Sequence, residues 1–353
     1  MSAQPGPASG GGGLAGRVPE FDLARVLAIA AVIALHVTAI AHRYAPELAW
    51  AWALNRALIS YAAPVLLIVA GALSWNEKRL GGRDGFGGYL AARARRVLVP
   101  YLIWAAGYLA LNAALGVTAA ATPLGYLELV VTGLAYYHLW FVPAVLLVYV
   151  AAPLGARLAK RHPLLPLVAA YALAYVVIRL VDLPDVSWLS YRSERAIVTS
   201  ARYFPYAAWG ALYAWSPLVR AWSRRMWPLV AAAAIAGAVA LAGADGAIAA
   251  GLRTVGVGAL GLSVLGACAV LGSRWPASDR GAARLAPLVY VVYLAHPMVL
   301  ALGVLALDRA GRTGVLGRSW AVVALYAGAV ALGGAIAWLW DRVGRAIARP
   351  RSG

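Results

Sequence analysis

Long apolar runs recur along the chain, divided by short clusters of arginine, glycine and proline. Runs at about 23–42, 57–75, 97–117, 138–156, 164–182, 202–217, 227–243, 247–272, 285–307 and 319–341 approach or reach the roughly 20 residues that an α-helix needs to cross a ~30 Å hydrocarbon core. The short, alternating segments of a closed membrane barrel are not the pattern here. The expected fold class is all-α: a polytopic membrane bundle of about ten transmembrane helices.

Composition agrees. Of the 353 residues, 63% are hydrophobic and only 12% charged, with a mean hydropathy of +0.75, whereas roughly a quarter of a soluble domain is charged. The net charge of +18 would suit nucleic acid if it were gathered in one soluble segment, but the basic residues sit at the ends of apolar runs. Most of them fall on the side that both termini would share, which places both termini in the cytoplasm by the positive-inside rule and sets basic loops against anionic lipid. The lone Cys268 excludes an intrachain disulfide. Residues 1–20 read as a disordered tail, since Gly, Pro, Ser and Ala dominate the first sixteen. No basic stretch precedes a short apolar run there, so a cleaved signal is not expected. Residues 21–345 form the membrane domain, and 346–353 a basic cytoplasmic tail. Lysine occurs only at Lys78 and Lys160, and this arginine-rich, alanine-rich usage fits a GC-rich bacterial genome.

Chemistry enters with the first run, FDLARVLAIAAVIALHVTAIAH, which contains Arg25 and His36. Eleven residues on a helix turn through about 1100°, three turns plus roughly 20°, and rise about 16.5 Å, so the two side chains share a face at different depths. With the N-terminus inside, Arg25 lies near the inner surface and His36 near or just past the midplane. Imidazole is the side chain that titrates near neutral pH and takes a proton from a hydroxyl. A snorkelling arginine and a histidine satisfied by its own helix would look the same. His296 on the ninth run reaches a similar depth, and Pro297 after it frees a backbone carbonyl, making a polar pocket or a kink. His138 opens the fourth run and belongs near the outer face, next to Trp140, which also suits an interfacial belt. Arg93 and Arg96 share a helix face where the third run enters the membrane; they are either a topology anchor or a phosphate site. Tyr171, Tyr175 and Arg179 form one stripe at i, i+4 and i+8. No two His or acidic residues sit at ligand spacing on one helix, so no metal is expected, and no Walker or Rossmann glycine pattern supports a nucleotide-driven pump.

Several segments resemble the acyltransferase-3 family of bacterial integral-membrane acyltransferases, most closely its surface-polysaccharide O-acetyltransferase branch. Asp22, Arg25 and His36 match the family's first-helix pattern of an acidic residue, an arginine and a histidine. Pro64 to Gly71 matches the second-helix pattern, with Ala70 where the family has serine. Arg93 and Arg96 followed by VLVPYLIW, the YHLWFVPAVLLVYVAAPL segment from Tyr137, and Tyr293 with His296 complete it, in the expected order.

The resemblance implies an acyl-CoA donor, acetyl-CoA in the usual case, bound from the cytoplasm, and an acceptor hydroxyl on a cell-surface glycan or glycolipid, in a multi-pass protein of the bacterial cell membrane. It implies His36 as the catalytic histidine and Arg25, Arg93 and Arg96 as donor-binding residues. His296 stands as a second site histidine, and His138, Trp140, Tyr171, Tyr175 and Arg179 are candidates for the acceptor. Two other readings stay open: a transporter or flippase of glycan or lipid precursors, and a tailoring acyltransferase acting on a small natural product.

Overall fold

The computed structural model describes residues 17–59, 61–75, 80, 85–117, 120, 122–181, 190–240 and 247–348. Most of the two expected tails, at 1–16 and 349–353, lies outside the described residues. In chain order the helices are α1 (Pro19–Tyr44), α2 (Ala49–Ile59), α3 (Ala62–Ser74), α4 (Gly85–Ala114), α5 (Pro123–Thr132), α6 (Phe141–Val150), α7 (Ala152–Arg161) and α8 (Leu165–Val181). They continue as α9 (Tyr191–Tyr203), α10 (Pro205–Trp215), α11 (Pro217–Ala240), α12 (Ala247–Arg274), α13 (Pro276–Leu285), α14 (Val289–Arg309), a 3₁₀ turn (Thr313–Gly317) and α15 (Ser319–Ala348). No strand occurs among the described residues, and the protein is a helical membrane protein.

α1 is the element the others surround. Pro19 stands in its first turn, where a missing N–H leaves nothing unsatisfied, and Glu20 and Asp22 lie at the positive end of the helix dipole. The helix packs against α2, α3, α12, α13, α14 and α15. Phe21, Ala24, Ile33 and Val37 are buried in that packing. Its start is tied down by Glu20, which accepts hydrogen bonds from the Tyr213 hydroxyl at 3.2 Å and from Arg224 at 3.0 Å. A buried carboxylate without such partners would be costly.

Among the described residues fewer than ten helices have the length and apolarity of a span. α1, α4, α12, α14 and α15 are long and apolar enough to cross a membrane, and α6 with α7 adds a sixth if the bent pair is one span. Two of the other expected spans are short or interrupted. The run at 57–75 contains the 13-residue α3, and the run at 202–217 is divided at Phe204, leaving α10 with 11 residues. Three stretches read as connections are helical instead: α5, α9 and α13. Arg192, Glu194 and Arg195 thus belong to α9 rather than to a loop. Thr122 caps α5 by accepting from the Gly125 N–H, Pro123 opens it and Gly133 in the left-handed region closes it, a full set of start and stop signals in a segment without the length of a span.

Two local features set the walls of the site. α3 and α10 approach backbone to backbone: a Cβ on Gly71 would lie 2.0 Å from the Ala207 carbonyl oxygen, and one on Gly210 1.8 Å from that of Ile68. Such contact between apolar helices requires glycine. α6 and α7 meet at 57° because Pro153 lacks an N–H for the Tyr149 carbonyl and its ring crowds that carbonyl. The bend is held by Trp75, whose indole N–H donates to the Val148 carbonyl at 2.9 Å, with Gly155 packed on the Trp75 ring.

Candidate active site

The site has two levels. At the first, Arg25 on α1 and Arg93 and Arg96 on α4 line one cavity of about 350 Å³, together with Ser74 of α3, Tyr149 of α6 and Asp341 of α15. Between these polar groups the walls are apolar, and Ala70 is part of them. Asp22 receives both Arg17, at 2.6 Å, and Arg25. Arg25 also donates from Nε to the Phe21 carbonyl at 3.2 Å, so its own helix holds one edge of the guanidinium and leaves the remaining donors to the cavity. Arg93 sits over two aromatic faces, 5.5 Å from the centre of Tyr89 and 5.7 Å from that of Tyr149, a cation–π arrangement that stabilises a charge partly withdrawn from water.

At the second level three histidines meet. The His36 ring lies 5.3 Å from His296 in a stacked arrangement, and His138 lies 5.6 Å from His296 edge-on. Tyr137 stands against His36 at 4.9 Å and Tyr293 against His138 at 5.2 Å. His36 is half-buried, while His138 and His296 are buried.

His296 owes its geometry to Pro297. Without an N–H, Pro297 leaves the Tyr293 carbonyl unbonded by the helix, and His296 Nδ1 lies 2.8 Å from that oxygen. A carbonyl oxygen only accepts, so Nδ1 carries a proton, and in the neutral imidazole Nε2 then keeps its lone pair. Nε2 is buried with no hydrogen-bond partner. One residue further on, the Tyr108 hydroxyl of α4 enters the opened turn, donating to the Leu294 carbonyl at 2.6 Å and accepting from the Met298 N–H at 3.1 Å. A side chain inserted into the helix ladder in this way fixes the kink.

His138 arrives by another route. Gly133 at φ 74° ends α5, and a Cβ there would lie 2.7 Å from the Leu139 carbonyl oxygen, so only glycine lets residues 134–140 fold back upon it. The fold-back brings His138 beside His296. The Tyr293 hydroxyl then donates to the His138 carbonyl.

The remaining expected residues stand elsewhere. Trp140 packs on Tyr203 at 4.5 Å. Tyr171 accepts from the Trp209 indole at 3.1 Å, and Tyr175 is 61% exposed on α8. With Arg179 they line neither the arginine cavity nor the histidine cluster. Tyr108 and Asp341 belong to no motif and only the fold brings them to the site, whereas Phe141 and Tyr149 fall within the segment that begins at Tyr137 without being singled out by it. Among the described residues no group of three or more His, Cys, Asp or Glu has the geometry to hold a metal ion.

A bundle of apolar helices with cations at one depth and a histidine cluster at another defines a multi-pass membrane protein with a polar interior site. A family model described as an acyltransferase domain, acyltransferase-3, matches residues 18–338, and the chain belongs to that family of membrane acyltransferases. No curated protein and no solved structure matches it.

Proposed function

We propose that the protein takes an acyl group, acetyl by preference, from acyl-CoA bound at its cytoplasmic side and transfers it to a hydroxyl of a glycan or glycolipid of the cell envelope. The observation that carries this reading is the joining of Arg25 on α1 with Arg93 and Arg96 on α4, distant from it in sequence, around one cavity that reaches Tyr293 beside the histidine cluster.

Guanidinium groups make paired hydrogen bonds to phosphate oxygens, so Arg93 and Arg96 hold the CoA phosphates and Arg25 guides the donor inward. The rise of about 16.5 Å from Arg25 to His36 is then spanned by the donor's flexible arm. At the far end the neutral His36 accepts the proton of the acceptor hydroxyl as its oxygen attacks the thioester carbonyl. The C–O bond forms, the C–S bond breaks, and the imidazolium returns its proton to the departing thiolate. His296, with Nε2 bare, stands beside His36 to share that proton. His138, beside His296, is the residue of this group that we assign to the acceptor hydroxyl.

The test is direct. Purified protein in lipid nanodiscs is given labelled acetyl-CoA and a pool of membrane glycolipid, and both released CoA and label on the lipid are measured. Transfer of label with release of CoA is the expected result. A protein that moves glycolipid across the bilayer without releasing CoA is a flippase, and the reading fails.

A further inference from the structure

We propose that Phe141 determines which acyl groups the protein accepts, by narrowing the passage between the arginine cavity and the histidines against the fixed ring of Tyr293. The inference rests on the acyl-transfer reading above and adds a specificity-determining residue to it.

The cavity stops short of the histidines on every helix that carries one or leads to one. On α14 its lining runs from Val289 to Tyr293 and ends one turn before His296. On α1 it includes Arg25 but not His36. On α6 it runs from Tyr149, which faces Arg93, back to Phe141, eight residues or about 12 Å along the axis, and ends three residues from His138. The rings of Phe141 and Tyr293 lie 5.4 Å apart, and Tyr293 touches the histidines on its other side, 5.2 Å from His138 and 6.1 Å from His296. This aromatic pair is therefore the partition that the donor's thioester must pass to meet His36.

The two rings are not equally free. Tyr293 is buried and its hydroxyl donates to the His138 carbonyl, so displacing it exposes a buried polar group on each partner. The Phe141 side chain is held by apolar and ring contacts alone, against Tyr293 and, at 6.0 Å, Trp140. Phe141 is the side that yields, and its size sets the aperture. The acyl group leads the donor arm, so it meets this constriction first. Apolar pockets discriminate single methylenes by roughly 10- to 200-fold, enough for one phenyl ring to separate acetyl from a medium-length chain.

The experiment compares wild type, Phe141→Ala and Phe141→Leu in nanodiscs with acetyl-CoA and hexanoyl-CoA, a membrane glycolipid pool as acceptor, and CoA release as the readout. The wild type should strongly favour acetyl-CoA. Phe141→Ala should raise the hexanoyl-to-acetyl ratio of kcat/KM about tenfold or more, with Phe141→Leu in between. Loss of packing alone lowers both donors together and leaves the ratio unchanged, and that result overturns the proposal while the acyl-transfer reading stands. If Phe141→Ala does not fold, the ratio in Phe141→Leu decides. A wild type that releases CoA from neither donor overturns the acyl-transfer reading and this one with it.

Discussion

The arginine cavity and the histidine cluster solve opposite problems inside the same bundle. In the first, permanent cations are kept in the membrane domain by neighbours that offset charge: Asp22 for Arg25, and the faces of Tyr89 and Tyr149 for Arg93. In the second, imidazoles are enclosed by aromatic rings, and the positions of His296 and His138 come from the backbone at Pro297 and Gly133. Charge recognition needs an accessible space with fixed cations. Proton transfer needs a neutral base with a defined lone pair, away from bulk water. On the proposed reading, a single helix, α1, supplies one residue to each, Arg25 and His36, three turns apart.

That division can be broken from either side. The largest effect is expected at the histidines: His36→Ala should lower kcat for CoA release by roughly 10²- to 10⁴-fold, the range of a lost general base, and full activity would remove His36 from the chemistry. Next comes the arginine level, where Arg93→Ala combined with Arg96→Ala should raise the donor KM by about 10- to 100-fold, as expected for losing charged hydrogen bonds, with kcat nearly unchanged. An unaltered KM would return both residues to a topological role.

Pro297→Ala sharpens the comparison, because the new N–H competes with His296 Nδ1 for the Tyr293 carbonyl. Turnover should fall about tenfold while donor binding and thermal stability hold; a wild-type kcat would show that the freed carbonyl has no part in the reaction. The smallest functional effect is expected for Tyr175→Phe, on the exposed stripe of α8. A change in acceptor KM of more than about twofold would bring that stripe back into the site. Gly71→Ala lies outside both levels and acts on the wall they share. Its methyl group would collide with the Ala207 carbonyl, so melting temperature should fall, in line with an overpacking cost of about 1–3 kcal/mol.

Much of this arrangement is legible in the chain. Apolar run lengths reveal a helical membrane protein, helical geometry puts Arg25 and His36 on one face, and Pro297 announces a freed carbonyl beside His296. What the linear pattern hides has physical causes. Run length reports hydropathy, not continuity, so it does not register the Pro153 break in α6–α7 or the division at Phe204. α5 and α9 are short and capped by Thr122 and Ser190, signals that a search for long apolar windows passes over. Tyr108 lies 186 residues from Leu294, and no spacing rule links the two. The place of His138 in the histidine cluster depends on a single left-handed glycine five residues earlier.

The most direct test of the two-level account is the equilibrium dissociation constant of acetyl-CoA, measured calorimetrically in nanodiscs for the wild type, His36→Ala and the Arg93→Ala/Arg96→Ala double variant. The account predicts that His36→Ala binds the donor within about twofold of wild type, whereas the double variant weakens binding at least tenfold. A His36→Ala protein that loses the donor, beside a double variant that keeps it, would contradict the assignment of donor recognition to the arginines and chemistry to the histidines.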